Sequence, residues 1–452
     1  MNILILISLI LFTLITIYKT RLGVYLILIL IPSFLIRAEV LGIPTTFLEL
    51  SIYLLAIIWA VKKLKIENWN IKNYLKIKNW KLKIIKPFLL PIFLFITAVI
   101  ISTIISPDKR LSLGILKAWI FDPLLFTIIF INQIKTDKHI NKVIASLSLM
   151  ILWVSSYGIY EYLFNPRNLI EYLRLDSIFT SANYVTMLIV PITILIIGYL
   201  ISFVKKQLSI INYLSRAESR DQLSNFDKIF IPLLILTTSI SITTVYLTKS
   251  FSGWLGLGAG IFVLLLLAPI KRKIKIISVC VLLILSGLFI YAQKNNPKFQ
   301  AIKNFQGRTA IHSRIQIWKT SIEIIKDNPI LGIGLGNFHQ KYIEYLPQKI
   351  DNPLEYAVIK PHNLYLNLWL ETGLLGLISF IWLIIIFYKQ NSKASSLQLI
   401  AYGSMAGLLT QGFFDTPYFK NDLSIIFWII IGLIIISRRD GRVVEGATLE
   451  KS

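Results

Sequence analysis

The sequence predicts an all-α fold, a polytopic transmembrane helix bundle of about 12–13 helices, with one long extracytoplasmic loop that carries an amphipathic helix. Three observations lead there. The chain of 452 residues is 55% hydrophobic. Its apolar residues gather in runs of about 15–25, the length that crosses a hydrocarbon core of about 30 Å. Its basic residues fall between those runs, most of them on alternate connections, as the positive-inside rule requires. No soluble core needs so much uninterrupted Leu and Ile, so residues 1–437 read as one integral membrane unit.

The apolar runs fall near 3–18, 22–36, 47–61, 87–105, 115–132, 143–160, 184–203, 229–247, 254–270, 276–291, 364–388, 397–414 and 423–437. The first three are short for a bilayer, which leaves the helix count open by one or two. The first run has no basic residues ahead of it and no small-residue cleavage site, so it reads as a retained helix rather than a signal peptide. Alternating the connections puts most of the 47 Lys and Arg on one side: Lys19 and Arg21, the run Lys62 to Lys86, Lys135 to Lys142, Lys205 to Lys228, Lys271 to Lys275, Lys389 and Lys393, and the tail. That side is expected to be cytoplasmic. The long loop 292–363 then faces outward, and the protein is expected in the cytoplasmic membrane. The tail 438–452 is polar and without apolar period, and is expected to be a disordered cytoplasmic end.

The formal charge of +24 would suggest nucleic acid in a soluble protein. Here topology and anionic lipid headgroups account for it, and no nucleic acid partner is expected. The run from Lys62 to Lys86 interleaves lysines with Trp69, Tyr74 and Trp80, which suits a segment lying on membrane lipids. Cys280 is alone, and His139, His312, His339 and His362 lack metal-ligand spacing. Neither a metal nor another cofactor is expected.

Candidate chemistry concentrates in the outer loops. Ile311, Ile315, Trp318, Ile322 and Ile325 recur at helical spacing, which predicts a helix with that stripe on one side and Arg308, Ser313 and Lys319 on the other. Arg314 lies at the edge of the stripe. The helix must end before Asp327-Asn328-Pro329. Its arginines either face lipid phosphates at the interface or bind a substrate diphosphate through their planar forks. Gly332-Ile333-Gly334-Leu335-Gly336 follows no soluble βαβ strand, so a dinucleotide site is not expected; a tight turn with free N–H groups, an anion nest, is the open reading. His362 stands at the mouth of a membrane helix. It is a structural residue or a proton acceptor, since imidazole titrates nearest neutrality. The loop 165–183 carries Arg167, Glu171, Arg174 and Asp176. Arg174 either bridges to Glu171 or Asp176 or faces the substrate. Lys249 is a further outer cation. Asp415 and Asp422 flank a short outer loop, where a carboxylate either orients an acceptor hydroxyl or, more simply, caps a helix.

Several ordered blocks resemble the O-antigen ligase and O-antigen polymerase superfamily of bacterial membrane glycosyltransferases. They are Arg314-x-x-x-Trp318, Asn328-Pro329-x-x-Gly332-x-Gly334-x-Gly336-Asn337-Phe338, Pro361-His362-Asn363-x-Tyr365-Leu366 and Glu371-x-Gly373-x-x-Gly376. Arg174-x-x-Ser177-x-Phe179-x-x-x-Asn183 and Phe414-Asp415-x-x-Tyr418-Phe419 resemble the upstream and late blocks. The likeness spans roughly 90–437. It implies a glycan donor linked to undecaprenyl diphosphate, a lipid- or glycan-linked acceptor hydroxyl, and inverting transfer without a metal. By position it implies Arg174 and Arg314 on the diphosphate, His362 as base, and Arg308, Lys249, Asn183 and Asn363 as further substrate contacts. The chain departs at Ser250-Phe251-Ser252-Gly253, where the family usually has Ser-Arg-Gly; Lys249 either replaces that cation or one contact is missing. Ligase and polymerase share the donor, and the resemblance does not separate them.

The competing reading is a non-enzymatic transporter or flippase of lipid-linked glycans. That class places ionisable residues at mid-membrane depth, on broken helices related by internal repeats. Here only Lys117, Asp122 and Glu161 lie near apolar runs, and no repeat is visible.

Overall fold

The computed structural model describes residues 3–40, 42–66, 71–164, 174–214, 225–268, 271–292, 300, 310–350, 353–389 and 395–449. In chain order the helices are α1 (Ile3–Tyr18), α2 (Thr20–Ile29), α3 (Phe47–Ile66), α4 (Ile71–Ile105), α5 (Lys109–Leu116), α6 (Asp122–Gln133), α7 (Asp137–Phe164), α8 (Ala182–Leu214), α9 (Asn225–Leu247), α10 (Phe251–Leu267), α11 (Arg272–Ala292), α12 (Ala310–Asp327), α13 (Phe338–Lys349), α14 (Leu364–Tyr388), α15 (Ser396–Gln411) and α16 (Asn421–Leu449). A π-helical turn, Lys117–Phe121, joins α5 to α6. Each expected apolar run overlaps a helix. Among the described residues, 7 helices are long and apolar enough to cross a membrane, and α1, α2 and α10 are shorter apolar helices. The architecture is an all-α polytopic bundle.

The second run is not one straight span. Pro32 has no N–H to continue α2, and a 3₁₀ turn, Ile31–Leu35, follows instead. A small antiparallel hairpin of β1 (Arg37–Val40) and β2 (Ile43–Thr46) then leads into α3. At the other end of the chain, α16 continues to Leu449, where the sequence led us to expect an unstructured tail. Helices α3 and α4 also carry backbone helix into both ends of the Lys62 to Lys86 run.

The core is set by which helices are apolar all round. From Leu423 to Ile436 nearly every residue of α16 is buried, as expected of a helix surrounded by others rather than by lipid. Helices α10 and α15 cross at paired glycines. A Cβ at Gly256 would lie 2.8 Å from the Gly407 carbonyl oxygen, and one at Gly260 would lie 2.8 Å from that of Gly403. Two Gly-x-x-x-Gly faces thus bring the backbones into contact, the packing that membrane helices use in place of a hydrophobic drive.

Side-chain contacts divide the bundle into two ends. At the lysine-rich end, an Arg21 guanidinium nitrogen lies 2.5 Å from His139 Nε2. There Arg438 donates to the Ile386 and Lys389 carbonyls at 3.0 and 2.9 Å, capping α14. At the opposite end, Lys117 pairs with Glu49 at 2.9 Å, and the Glu49 carboxylate also accepts from Asn421 at 3.2 Å.

The long loop forms a small second core on that opposite end. Ile317, Ile324, Phe338, Tyr342, Leu346 and Val358 are buried together. The buried face of α12 only partly follows the expected stripe: Ile325 is buried and Trp318 packs against this core, but the face is shifted. Ser313, Ile317, Thr320, Ser321 and Ile324 face inward, while Ile322 is exposed. Thr320 and Ser321 return their hydroxyls to the Gln316 and Ile317 carbonyls. That removes the cost of burying them and lets a small-residue face pack closely.

The glycine turn docks onto the bundle. Gly332, Gly334 and Gly336 all have positive φ, and several N–H groups of their segment are spent within the protein. Ile333 N donates to the Leu370 carbonyl at 2.8 Å, and Leu374 N donates to that of Ile330 at 3.0 Å. Leu335 N reaches the Ser102 carbonyl on α4 at 3.4 Å. The turn docks where α14 breaks: Gly373 has φ 68° and ψ −175°. A Cβ there would sit 2.2 Å from the Ile330 carbonyl oxygen, so only glycine fits.

Candidate functional site

The end of the bundle opposite the lysines gathers four of the residues singled out above around a carboxylate whose simplest reading was a cap. Asp415 lies in the connection between α15 and α16, and its side chain is 2% exposed. Its Oδ1 is 3.4 Å from an Arg314 guanidinium nitrogen and 3.4 Å from His362 Nδ1. The same oxygen accepts from Asn183 Nδ2 at 3.3 Å, and Oδ2 accepts from Ser252 Oγ at 2.6 Å. Arg174 joins through Asn183, donating to its Oδ1 at 2.6 Å, and through the Thr248 carbonyl at 2.8 Å. Five chain segments therefore meet: the approach to α8, the α9–α10 corner, α12, the mouth of α14, and the α15–α16 connection.

Each side chain is held by local structure that the sequence explains. One face of α12 serves two purposes. Arg314 reaches Asp415, and Trp318, one turn on, donates from Nε1 to the Pro361 carbonyl at 3.0 Å. Asn363 caps α14, its Oδ1 accepting from the Tyr365 and Leu366 N–H groups at 3.0 Å each. Its Nδ2 donates to the Phe413 carbonyl at 3.1 Å. The amide of Asn363 is thus spent on anchoring the residue that follows His362. His362 itself has φ 49°, a left-handed conformation that a non-glycine residue adopts at a cost of order 1–3 kcal/mol when its surroundings over-determine it. With Nδ1 toward Asp415 and the side chain 42% exposed, the ring can present Nε2 to the open side.

Lys249 shares that backbone conformation, φ 50°. Its side chain is exposed, and among the described residues no partner holds it. It sits between Thr248, whose carbonyl holds Arg174, and Ser250, which caps α10. Ser252 occupies the corner where a family arginine would be expected, and it bonds Asp415 rather than supplying a cation. Arg308 lies outside the described residues, as do Arg167 and Glu171. Asp176 and Arg174 do not pair; Arg174 faces Asn183 instead.

The charge balance favours an added anion. Two guanidinium groups share one carboxylate. Burial pulls the Arg174 guanidinium below the usual arginine range, Asp415 pushes it back up, and Arg314 lowers it again. The two arginines thus repel each other across a partly desolvated gap. The Nε of Arg314 is buried without a hydrogen-bond partner, a donor that a bound oxygen would satisfy. Among the described residues no three His, Cys, Asp or Glu side chains converge as metal ligands.

Sequence reasoning named Asp415 and Ser252 but left both off the list of site residues. A signal was present for the first, in the block Phe414-Asp415-x-x-Tyr418-Phe419. Nothing in the sequence connected that block to Arg314 or His362.

A multi-pass membrane bundle with an arginine and histidine cluster at one end defines the class. Comparison with known proteins narrows it. A family model described as O-antigen ligase matches residues 236–381. A putative polysaccharide ligase of Rickettsia felis is 29% identical over 203 residues, covering 42% of this chain and 47% of the relative. An O-antigen ligase of Salmonella typhimurium is 27% identical over 158 residues, 33% of this chain and 37% of the relative. An uncharacterized protein of Haemophilus influenzae is 26% identical over 179 residues, 35% of this chain and 44% of the relative. The chain spans about half or less of the length of these curated relatives. These matches make the chain similar, over part of its length, to the O-antigen ligase superfamily.

Proposed function

We propose that this protein is a membrane glycosyltransferase of the O-antigen ligase or polymerase type. It moves a glycan from undecaprenyl diphosphate to an acceptor hydroxyl, carried on a lipid or a glycan, at the outer side of the cytoplasmic membrane. The observation that carries this reading is the convergence of Arg174, Arg314 and His362 on Asp415.

In this reading the donor diphosphate lies against Arg174 and Arg314. His362 Nε2 takes the acceptor hydroxyl proton as the acceptor oxygen bonds to the anomeric carbon. The bond from that carbon to the diphosphate oxygen breaks on the opposite face, with inversion. The diphosphate leaves with the electron pair, and its growing charge meets two fixed cations. Such charges stabilise the transition state more than the ground state, and losing one costs about 2.7–4 kcal/mol, or roughly 10²–10³ in rate. Asp415 on Nδ1 favours the tautomer with Nε2 open and stabilises the imidazolium that forms. Lys249, Asn183 and Arg308 supply the outer contacts to the glycan diphosphate. The cations are side chains, so the reaction needs no metal.

The test is transfer in membranes or detergent with a lipid-linked donor. His362→Ala should lose about 10²–10⁴ in rate while still binding donor. Arg314→Ala should lose donor affinity and turnover at normal protein level, and EDTA should leave the wild-type rate unchanged. Wild-type transfer by either variant, or loss of the reaction in EDTA, overturns the assignment.

A further inference from the structure

An ion pair outside the cluster, its carboxylate buried and its ammonium partly buried, lies beside the segment that bears His362. Lys360 Nζ lies 2.6 Å from Glu371 Oε1, and the two side chains are 17% and 1% exposed. Glu371 is on α14, in the last turn before the break at Gly373, and its Oε2 accepts from Asn367 Nδ2 at 3.4 Å. The Lys360 ammonium is also 4.9 Å from the Trp119 ring centre and 5.3 Å from that of Phe419. Those rings meet edge to face at 5.8 Å. One cation therefore ties together three elements: α14, the π-helical turn, and the connection that carries Asp415.

The position of this cation matters because of its neighbours. Pro361 is held by Trp318, and Asn363 is held by its cap and by Phe413. Lys360 is a further anchor, two residues before the strained His362. Phe419, against the same ammonium, belongs to the connection from which Asp415 reaches the imidazole. The ring and its carboxylate partner are thus set by one clamp.

The geometry points to Lys360 and Glu371 as a positioning pair. They touch neither donor nor acceptor, and they hold His362 and Asp415 in register for proton transfer. This inference rests on the base role proposed above. A displacement of about 1 Å at a reacting group can cost about 10² in rate, so the pair should govern turnover and not donor affinity.

The experiment compares Lys360→Met/Glu371→Gln, His362→Ala and the triple variant. Neutralising both partners avoids leaving one charge buried alone. The double variant should bind lipid-linked donor as the wild type does and transfer about 10²-fold more slowly at saturating donor. In the His362→Ala background the same pair of changes should slow transfer no further. A wild-type rate in the double variant overturns the proposal. So does lost donor affinity, or a further 10²-fold loss in the triple variant. If the double variant fails to accumulate, Lys360→Gln alone tests the same point. It can still donate to Glu371 but removes the cation from between the two rings, so transfer should fall several-fold at unchanged donor affinity, and a wild-type rate overturns the pair's role. If His362→Ala transfers normally, the base role and this inference fall together. If it is inactive while Lys360→Met/Glu371→Gln is not, only the positioning role falls.

Discussion

Asp415 offers two oxygens to four side chains, and its loss should be felt at all of them. Asp415→Asn keeps the shape but removes the charge opposite His362 Nδ1. Its amide also puts an NH2 group in place of one of the two oxygens, so either Arg314 or Ser252 loses its acceptor. Transfer should fall by about 10²–10⁴ with protein level maintained, measured as initial rate at saturating donor. Arg314→Lys should recover only part of the activity lost in Arg314→Ala, because an ammonium cannot make a two-pronged contact with phosphate oxygens. The sequence pointed to His362, Arg314, Arg174 and Asn183 because their residue types and neighbours carried a signal within a few positions. Asp415 was different. An aspartate in a short loop beside a helix start reads as a cap, and its four partners come from remote segments. Asn363 was legible as important, yet the cap it makes was the part its own sequence spacing could have told.

At the scale of elements, two glycine arrangements carry the packing. On α10 and α15, Gly260→Leu would press a Cβ to within 2.2 Å of Ile194 Cδ1 and 2.8 Å of the Gly403 carbonyl oxygen. Overpacking of this kind costs about 1–3 kcal/mol or more, so the variant should show a lower melting temperature in detergent and less folded protein in the membrane. Gly373→Ala is expected to be as harmful for a different reason, since its φ of 68° and the Ile330 carbonyl both exclude a Cβ. Neither arrangement was visible as such. The Gly-x-x-x-Gly spacing was in plain sight on both helices, but which helix meets which is a tertiary fact. The glycine turn looked like a place for an anion because free N–H groups are the default outcome of such a backbone. Here α14 and α4 supply the carbonyls. The stripe on α12 was read only in part, with Ile325 and Trp318 in the core and Ile322 outside it, for a related reason. Isoleucine marks a face that can be buried, while Ser313, Thr320 and Ser321 mark a face that can be approached closely.

At the scale of the molecule, the charge pattern and the contact pattern agree on two ends of one bundle, and a labelling experiment can assign them to sides. With Cys280 replaced by serine, Ala357→Cys in the long loop should react with an impermeant maleimide from outside intact cells. Lys138→Cys, between α6 and α7, should react only after the cells are opened. The reverse would put the cluster on the wrong side of the membrane for the proposed reaction. The apolar runs made the helices legible because hydrocarbon demands that every backbone group be satisfied within the segment. They could not tell how the long loop folds, since its small core obeys the rules of water-soluble packing. The join between loop and bundle has a practical consequence for engineering. The residues around Ile330 to Leu335 exchange hydrogen bonds with Leu370 and Leu374 inside α14 and with Ser102 on α4. The loop is therefore not a detachable module. A chimera that transplants a relative's loop with its seams at 292 and 363 would separate two halves of one joint, whereas a transplant that runs on through Gly376 would carry most of the joint across intact.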